Sequence, residues 1–336
     1  MKLLIVTQKV DVHDPILGFF HRWLEEFSKH CTQVTVIAQC VGKHALPKNV
    51  HIHSLGKEEG LPRWRQILRF WKLQWSLRGE YDAVFVHMTP IWVLLGCVLW
   101  KILRKRMYLW YEIRRGSWRL SAALLCVRTV FTATQHGLPR SSRKQKVVGH
   151  GIDLHTYIPN SSLREPGIIV AAGRITRSKH YDVILHAFAQ LPQDCRLLIA
   201  GGIITPHDTA EHERLQLLMR DRAITDRVII QWVPPAEMPS LLCRADLLLH
   251  ACIGGLDKIV LEAMACGCPV VSSSPATREI LPGQCVATEA NMAEKARAIL
   301  AMKHDERDAF AADLRHRVEQ NHNLTVLIST LVYDMQ

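Results

Sequence analysis

The ten cysteines of this 336-residue chain form no CxxC pair and no regular framework. That argues against a zinc knot or a disulfide scaffold and suits free buried thiols in a reducing compartment. Cys266-Gly267-Cys268 stands too isolated for a metal site. None of the eighteen histidines sits in an HExxH or comparable spacing, so no structural metal is expected. No RNA- or DNA-binding module is recognisable, and the start, Met1-Lys2-Leu3-Leu4-Ile5-Val6, reads as a first buried strand rather than a secretory leader. The apolar run at 91–103 is shorter than the roughly 20 residues that span a bilayer. It reads as a buried crossover helix.

Acidic residues are scarce in one half only. Residues 1–150 hold 24 Lys/Arg against 9 Asp/Glu, a balance of +15, whereas residues 151–336 hold 18 against 22, a balance of −4. Eight of the nine tryptophans also lie in the first half. Apolar content of 48% and charged content of 22% are those of a soluble globular protein, and the length suffices for two domains with different surface tasks.

β-rich runs at 3–6, 34–37, 51–55, 83–87, 107–111 and 129–132 alternate with helical patterns at 17–30, 61–77 and 91–104. The scheme repeats with strands predicted at 168–172, 196–200, 228–232, 247–250 and 269–272. Helices are predicted between and after them at 181–191, 211–222, 236–243, 257–266 and 292–302. Such alternation predicts two doubly wound parallel sheets of the Rossmann kind, with ligands at the carboxyl ends of the strands in a cleft between the domains. The domains are expected at 1–150 and 151–336, hinged at 149–166. The last stretch, 305–333, is helical and has the option of crossing back to the first domain.

The most informative segment is the turn Gly254-Gly255-Leu256-Asp257 running into Lys258-Ile259-Val260-Leu261-Glu262-Ala263-Met264-Ala265. Its glycines let backbone N–H groups approach an anion, and a helix N-terminus points its positive end at the same place. Lys258 and Glu262 share one helix face. The lysine suits phosphate, and the carboxylate suits a pair of sugar hydroxyls. An ordinary buried helix with one Lys/Glu pair accounts for the segment equally well. A second candidate, Gly173-Arg174-Ile175-Thr176-Arg177-Ser178-Lys179, lies between a strand and a helix, where Arg174 and Lys179 suit a diphosphate's charge. Taken alone, these are solvated loop cations.

Together, Gly173-Arg174 with Lys179, Ala245-Asp246-Leu247-Leu248-Leu249, and Leu261-Glu262-Ala263-Met264-Ala265-Cys266-Gly267-Cys268-Pro269-Val270-Val271 resemble a retaining glycosyltransferase of family 4, with the GT-B fold. His150-Gly151-Ile152-Asp153 resembles that family's interdomain segment, and Gly18 its glycine beside the donor phosphates. The resemblance is strong over the second half and covers the first in outline. It implies that Arg174 and Lys179 bind the donor diphosphate and that Glu262 holds the ribose hydroxyls. It also implies that Gly255, Leu256, Asp257 and Lys258 cap the phosphates and sugar, that Trp232 and Val233 border the base, and that the chemistry needs no metal or other cofactor.

Two positions depart from the family pattern. Gly254 stands where a glutamate is usual, and Glu112-Ile113-Arg114-Arg115 stands where a histidine is common, Ile113 taking its place. Asp257 or Lys258 near the sugar is the expected substitute, with loss of turnover the alternative. Glu112 or a neighbouring arginine either contacts a ligand or forms a surface ion pair. In the first half, Arg63-Trp64-Arg65, Arg69-Phe70-Trp71-Lys72 with Trp75, Trp100-Lys101 with Arg104-Lys105-Arg106, and Arg114-Arg115 with Trp118-Arg119 interleave aromatics with cations. That suits an anionic membrane interface, against the alternative of core tryptophans with a solubilising face. The expectation is a cytoplasmic-face peripheral transferase moving a sugar from a nucleotide diphosphate donor, UDP-linked, to a lipid-linked or glycan acceptor. A silent nucleotide-sugar-binding subunit and a nucleotide-sugar epimerase are the alternatives.

Overall fold

Apolar runs too short to be helices and flanked by turn residues give strands buried on both faces, the mark of a parallel sheet. The computed structural model describes every residue except Arg115 and Ile204. It divides into two units, Met1–Gly151 with Asn323–Gln336, and Ile152–His322.

The first unit runs β1 (Lys2–Val10), α1 (Phe19–His30), β2 (Gln33–Val41), β3 (Val50–Ser54), α2 (Arg63–Ser76), β4 (Ala83–His87), α3 (Pro90–Ile102), β5 (Arg106–Trp110), α4 (Trp118–Cys126), β6 (Thr129–Thr132) and β7 (Gln145–Val147). All seven strands are parallel, in the order β3-β2-β1-β4-β5-β6-β7, with Ile5 opposite Val36 on one side and Phe85 on the other. The second unit runs β8 (Ile168–Ala172), α5 (Tyr181–Phe188), β9 (Arg196–Ala200), α6 (Pro206–Asp221), β10 (Val228–Gln231), α7 (Met238–Arg244), β11 (Leu247–His250), α8 (Lys258–Ala265), β12 (Val270–Ser272), α9 (Met292–Leu300) and α10 (His304–Asn321). Its order is β10-β9-β8-β11-β12, again parallel. Sequence order reverses between β1 and β4 in the first sheet and between β8 and β11 in the second, the switch points where ligands of such sheets bind.

The alternation read from the sequence is present, with four differences. Helix α4 and strand β7 are additional; a side-chain cap, Ser117 Oγ accepting from Leu120 N at 3.2 Å, starts the helix. Helix α6 begins at Pro206 rather than 211, where Thr205 and Asp208 form a capping box. The terminal helical stretch is two helices, broken at His322-Asn323. The second of them, α11 (Leu324–Met335), begins where the Asn323 side chain accepts from Thr325 N at 2.9 Å. Helix α11 belongs to the first unit, where it packs against α1.

The first unit's tryptophans divide evenly. Trp23, Trp92, Trp100 and Trp110 are buried, while Trp64, Trp71, Trp75 and Trp118 are exposed. Trp100, expected among the interfacial aromatics, is instead core. It packs edge-on to Phe70 at 6.2 Å, in space that a Cβ on Gly96 would fill. Helix α2 is inverted relative to an ordinary surface helix. It turns Trp64, Leu68, Trp71 and Trp75 outward at i, i+4, i+7 and i+11, and buries Gln66, Phe70 and Gln74. Arginines lie over three of the outward rings, Arg65 on Trp64, Arg78 on Trp75 and Arg119 on Trp118, at 5.0, 4.7 and 5.6 Å. No helix among the described residues is long and apolar enough to cross a membrane.

Candidate nucleotide-sugar site

Strands β8 and β11 end side by side at the second unit's switch point, and the two loops singled out from the sequence leave from those ends. Gly173 follows β8 with φ +129°, open to glycine alone. A Cβ there would also stand 2.6 Å from Lys179 Cε, so the lysine side chain folds over a bare backbone. Tyr181 Oη donates to Gly173 O at 2.8 Å and pins the turn. His180 takes the left-handed conformation, φ +47°, at the start of α5. That costs about 1 kcal/mol for a non-glycine residue and reverses the chain immediately after Lys179.

Lys179 Nζ meets the Asp257 carboxylate. His250, the last residue of β11, approaches the same carboxylate through Nε2 at 3.4 Å, and its Nδ1 is held by Ser272 Oγ at 2.8 Å. Cys252 lies alongside. Burial works to raise the Asp257 pKa, but the Lys179 charge and the His250 hydrogen bond overcome it and hold the carboxyl well below its usual range. Burial works to lower Lys179 and His250, and Asp257 more than offsets it in both, so both are raised. Burial raises the Cys252 thiol, while His250 and Lys179 bring it below its ordinary value. His250, Cys252 and Asp257 also place three ligand-type atoms within 4.8 Å of one another, a grouping that no recognised ligand spacing announces. The Lys179 ammonium already supplies a cation to the Asp257 carboxylate.

Helix α8 begins at Asp257, which is at the N-cap position but makes no side-chain cap. One turn on, Lys258 Nζ lies 3.4 Å from Glu262 Oε1. Burial lowers the Lys258 pKa and Glu262 restores part of it. The Tyr157 hydroxyl also meets Glu262; burial first, then the carboxylate charge, keep the phenol protonated far above its ordinary range. The helix ends at Gly267, φ +71°, and Arg315 of α10 donates to Ala265 O at 2.9 Å.

The other expected residues have different surroundings. Arg174 is exposed, and among the described residues no carboxylate pairs with it. Gly255 is half-buried and Leu256 buried in the turn before α8. Trp232 and Val233 follow β10. The Trp232 ring lies over Gly202, where a Cβ would meet it at 2.9 Å. Gly18 belongs to the first unit, and a Cβ there would stand 2.6 Å from Asp14 O, so the tight 11–18 turn requires it. Asp246 is tied into the core by Arg307 and by Gly167 N, which donates to it at 3.0 Å. Glu112 is buried, accepting from Ala133 N at 2.7 Å and Thr134 Oγ1 at 3.3 Å. Arg114 is exposed, and Arg115 lies outside the described residues.

Two parallel α/β units, each with its own switch point, are the architecture of the GT-B fold. Anabaena Alr3699/HepE, crystallised with UDP, has the same fold, with a TM-score of 0.79 at 16% identity over 100% of this chain and 99% of that one. Residues 166–314 match the family model described as Glycosyl transferases group 1. It is 33% identical over 150 residues to the D-inositol 3-phosphate glycosyltransferase of Xylanimonas cellulosilytica, covering 38% of this chain and 34% of that protein. To the GDP-mannose-dependent alpha-(1-6)-phosphatidylinositol monomannoside mannosyltransferase of Mycolicibacterium smegmatis it is 27% identical over 158 residues, 40% of each. The chain spans about a third of the length of the first curated relatives it matches.

Proposed function

We propose that the chain is a retaining glycosyltransferase that takes a sugar from a nucleoside diphosphate, UDP before GDP, and passes it to a lipid-linked or glycan acceptor. The observation that carries this is the meeting of Lys179 with the N-terminal end of α8 at the switch point, with Glu262 one turn deeper. Lys179 and Arg174 would hold the diphosphate and take up the charge that develops on it as the bond to the sugar breaks. Glu262, aligned by Lys258 and Tyr157, would accept hydrogen bonds from the ribose hydroxyls. Gly255 and Leu256 would offer backbone to phosphate and sugar, and Trp232 and Val233 would flank the base. In the transfer step the sugar C1–O bond to the β-phosphate breaks, and the acceptor oxygen bonds C1 on the same face. The acceptor proton passes to the departing phosphate oxygen. No metal or other cofactor is part of this proposal. A crystallised relative in fold carries UDP and a relative in sequence is named for GDP-mannose; both ligands contain a nucleoside diphosphate, which supports the donor class.

The acceptor surface we assign to an anionic membrane at the cytoplasmic face, on the outward stripe of α2. Residues 61–128 hold thirteen Lys/Arg against three Asp/Glu, and a face of exposed tryptophans among cations suits the lipid headgroup layer.

Incubating the chain with UDP-glucose, UDP-galactose, UDP-N-acetylglucosamine or GDP-mannose and anionic lipid extract tests the activity. Release of the nucleoside diphosphate with an α-linked product is expected, and loss of at least tenfold in rate on Arg174→Ala or Lys179→Ala. A second reading, a silent nucleotide-sugar-binding subunit, draws on Gly254, which presents no carboxylate in the turn. Tight donor binding without turnover of any of the four would favour it.

A further inference from the structure

Lys179 carries its own anion. Its ammonium is folded over Gly173 onto the Asp257 carboxylate, inside the second unit and largely out of solvent. Aspartate at a helix N-cap normally turns back to accept from the first-turn N–H groups. Asp257 does not; its carboxylate is drawn instead to Lys179 and His250, and the start of α8 has no side-chain cap. Arg174, the other cation of the β8 loop, is exposed and has no carboxylate partner among the described residues. A carboxylate and a phosphate oxygen make the same demand on an ammonium group: one charged hydrogen bond at close range.

We propose that Asp257 is a resident counter-anion for Lys179, which a nucleoside diphosphate must displace or share, so that Asp257 sets how tightly the donor is held. The inference rests on the assignment of Lys179 to the donor diphosphate. In the empty state the pair keeps a buried ammonium compensated. When the diphosphate arrives, two anions converge on one cation, and their repulsion opposes binding. Neutralising Asp257 removes the competitor while leaving a side chain of the same shape, still able to hydrogen-bond Lys179 and His250 through its amide oxygen.

Calorimetric titration of the full chain with UDP and with GDP, with uridine and guanosine as controls, tests this. The chains compared are the parent, Asp257→Asn, Asp257→Glu, Lys179→Ala and the double variant Asp257→Asn/Lys179→Ala. Asp257→Asn is expected to bind the preferred diphosphate about tenfold more tightly, with nucleoside affinity unchanged. Asp257→Glu, which keeps the charge, should show no gain, and the double variant should bind like Lys179→Ala. Circular dichroism and thermal unfolding of each chain establish that it is folded. Equal or weaker diphosphate binding by folded Asp257→Asn overturns the inference, as does the same gain in the Lys179→Ala background. Parent-like diphosphate binding by Lys179→Ala overturns instead the assignment on which it rests. No binding by any of the five chains overturns both.

Discussion

Lys258 and Glu262 were legible in the sequence because neighbours on a helix face are set by spacing alone. Their 3.4 Å approach follows from it. The pairing of Lys179 with Asp257 was not, since those residues are 78 apart and meet only because β8 and β11 are adjacent in the sheet. His250, Cys252 and Tyr157 escaped notice for the same reason: each gains its meaning from a partner that the fold supplies. The burial of Glu112 was equally hidden, since its carboxylate accepts from Ala133 N and Thr134 Oγ1, more than twenty residues along the chain. At this scale Glu262→Ala should weaken a ribonucleoside diphosphate by about tenfold to a hundredfold. Its 2′,3′-dideoxy analogue should lose little, and paired titrations measure both. Equal loss for the two ligands would remove Glu262 from the ribose.

Periodicity located most of the strands and helices, and failed where capping or tertiary pairing decides. Helix α6 starts five residues before its predicted position because Thr205 and Asp208 cap it. The three residues of β7 carry too little pattern to be read without their partner β6. At the α10–α11 break, burial pushes His322 down to about 4. The folded chain then holds this imidazole neutral, while an unfolded one binds a proton below about 6.5. Stability should therefore fall as pH drops from 6.5 toward 4, losing about 3 kcal/mol through this group. Denaturant titrations at pH 7, 5.5 and 4.5 should give a shallower loss for His322→Gln than for the parent. Parallel slopes would assign the acid sensitivity elsewhere. Helix α2 makes a different prediction, because burying Gln66 and Gln74 while exposing three tryptophans is costly unless the outer face has a partner. The parent should pellet with phosphatidylglycerol-rich liposomes at low salt. The triple variants Trp64→Ala/Trp71→Ala/Trp75→Ala and Arg65→Glu/Arg69→Glu/Lys72→Glu should remain in the supernatant, each basic residue contributing about 1 kcal/mol at such a surface. Unaltered pelleting of both would put the membrane face elsewhere.

For the whole molecule, two parallel sheets could be read from the strand and helix rhythm, whereas the division into units rests on tertiary contacts. Membership of α11 in the first unit is a tertiary fact, created by its apolar face against α1. The central claim is that the second unit grips a diphosphate through Lys179. The most direct measurement is the step in affinity from uridine to UMP to UDP, or the guanosine series where that base is preferred, in the parent and in Lys179→Ala. A rise of at least tenfold from nucleoside to diphosphate in the parent, collapsing in the variant while nucleoside binding persists, is the predicted result. The same rise in both chains would contradict the account.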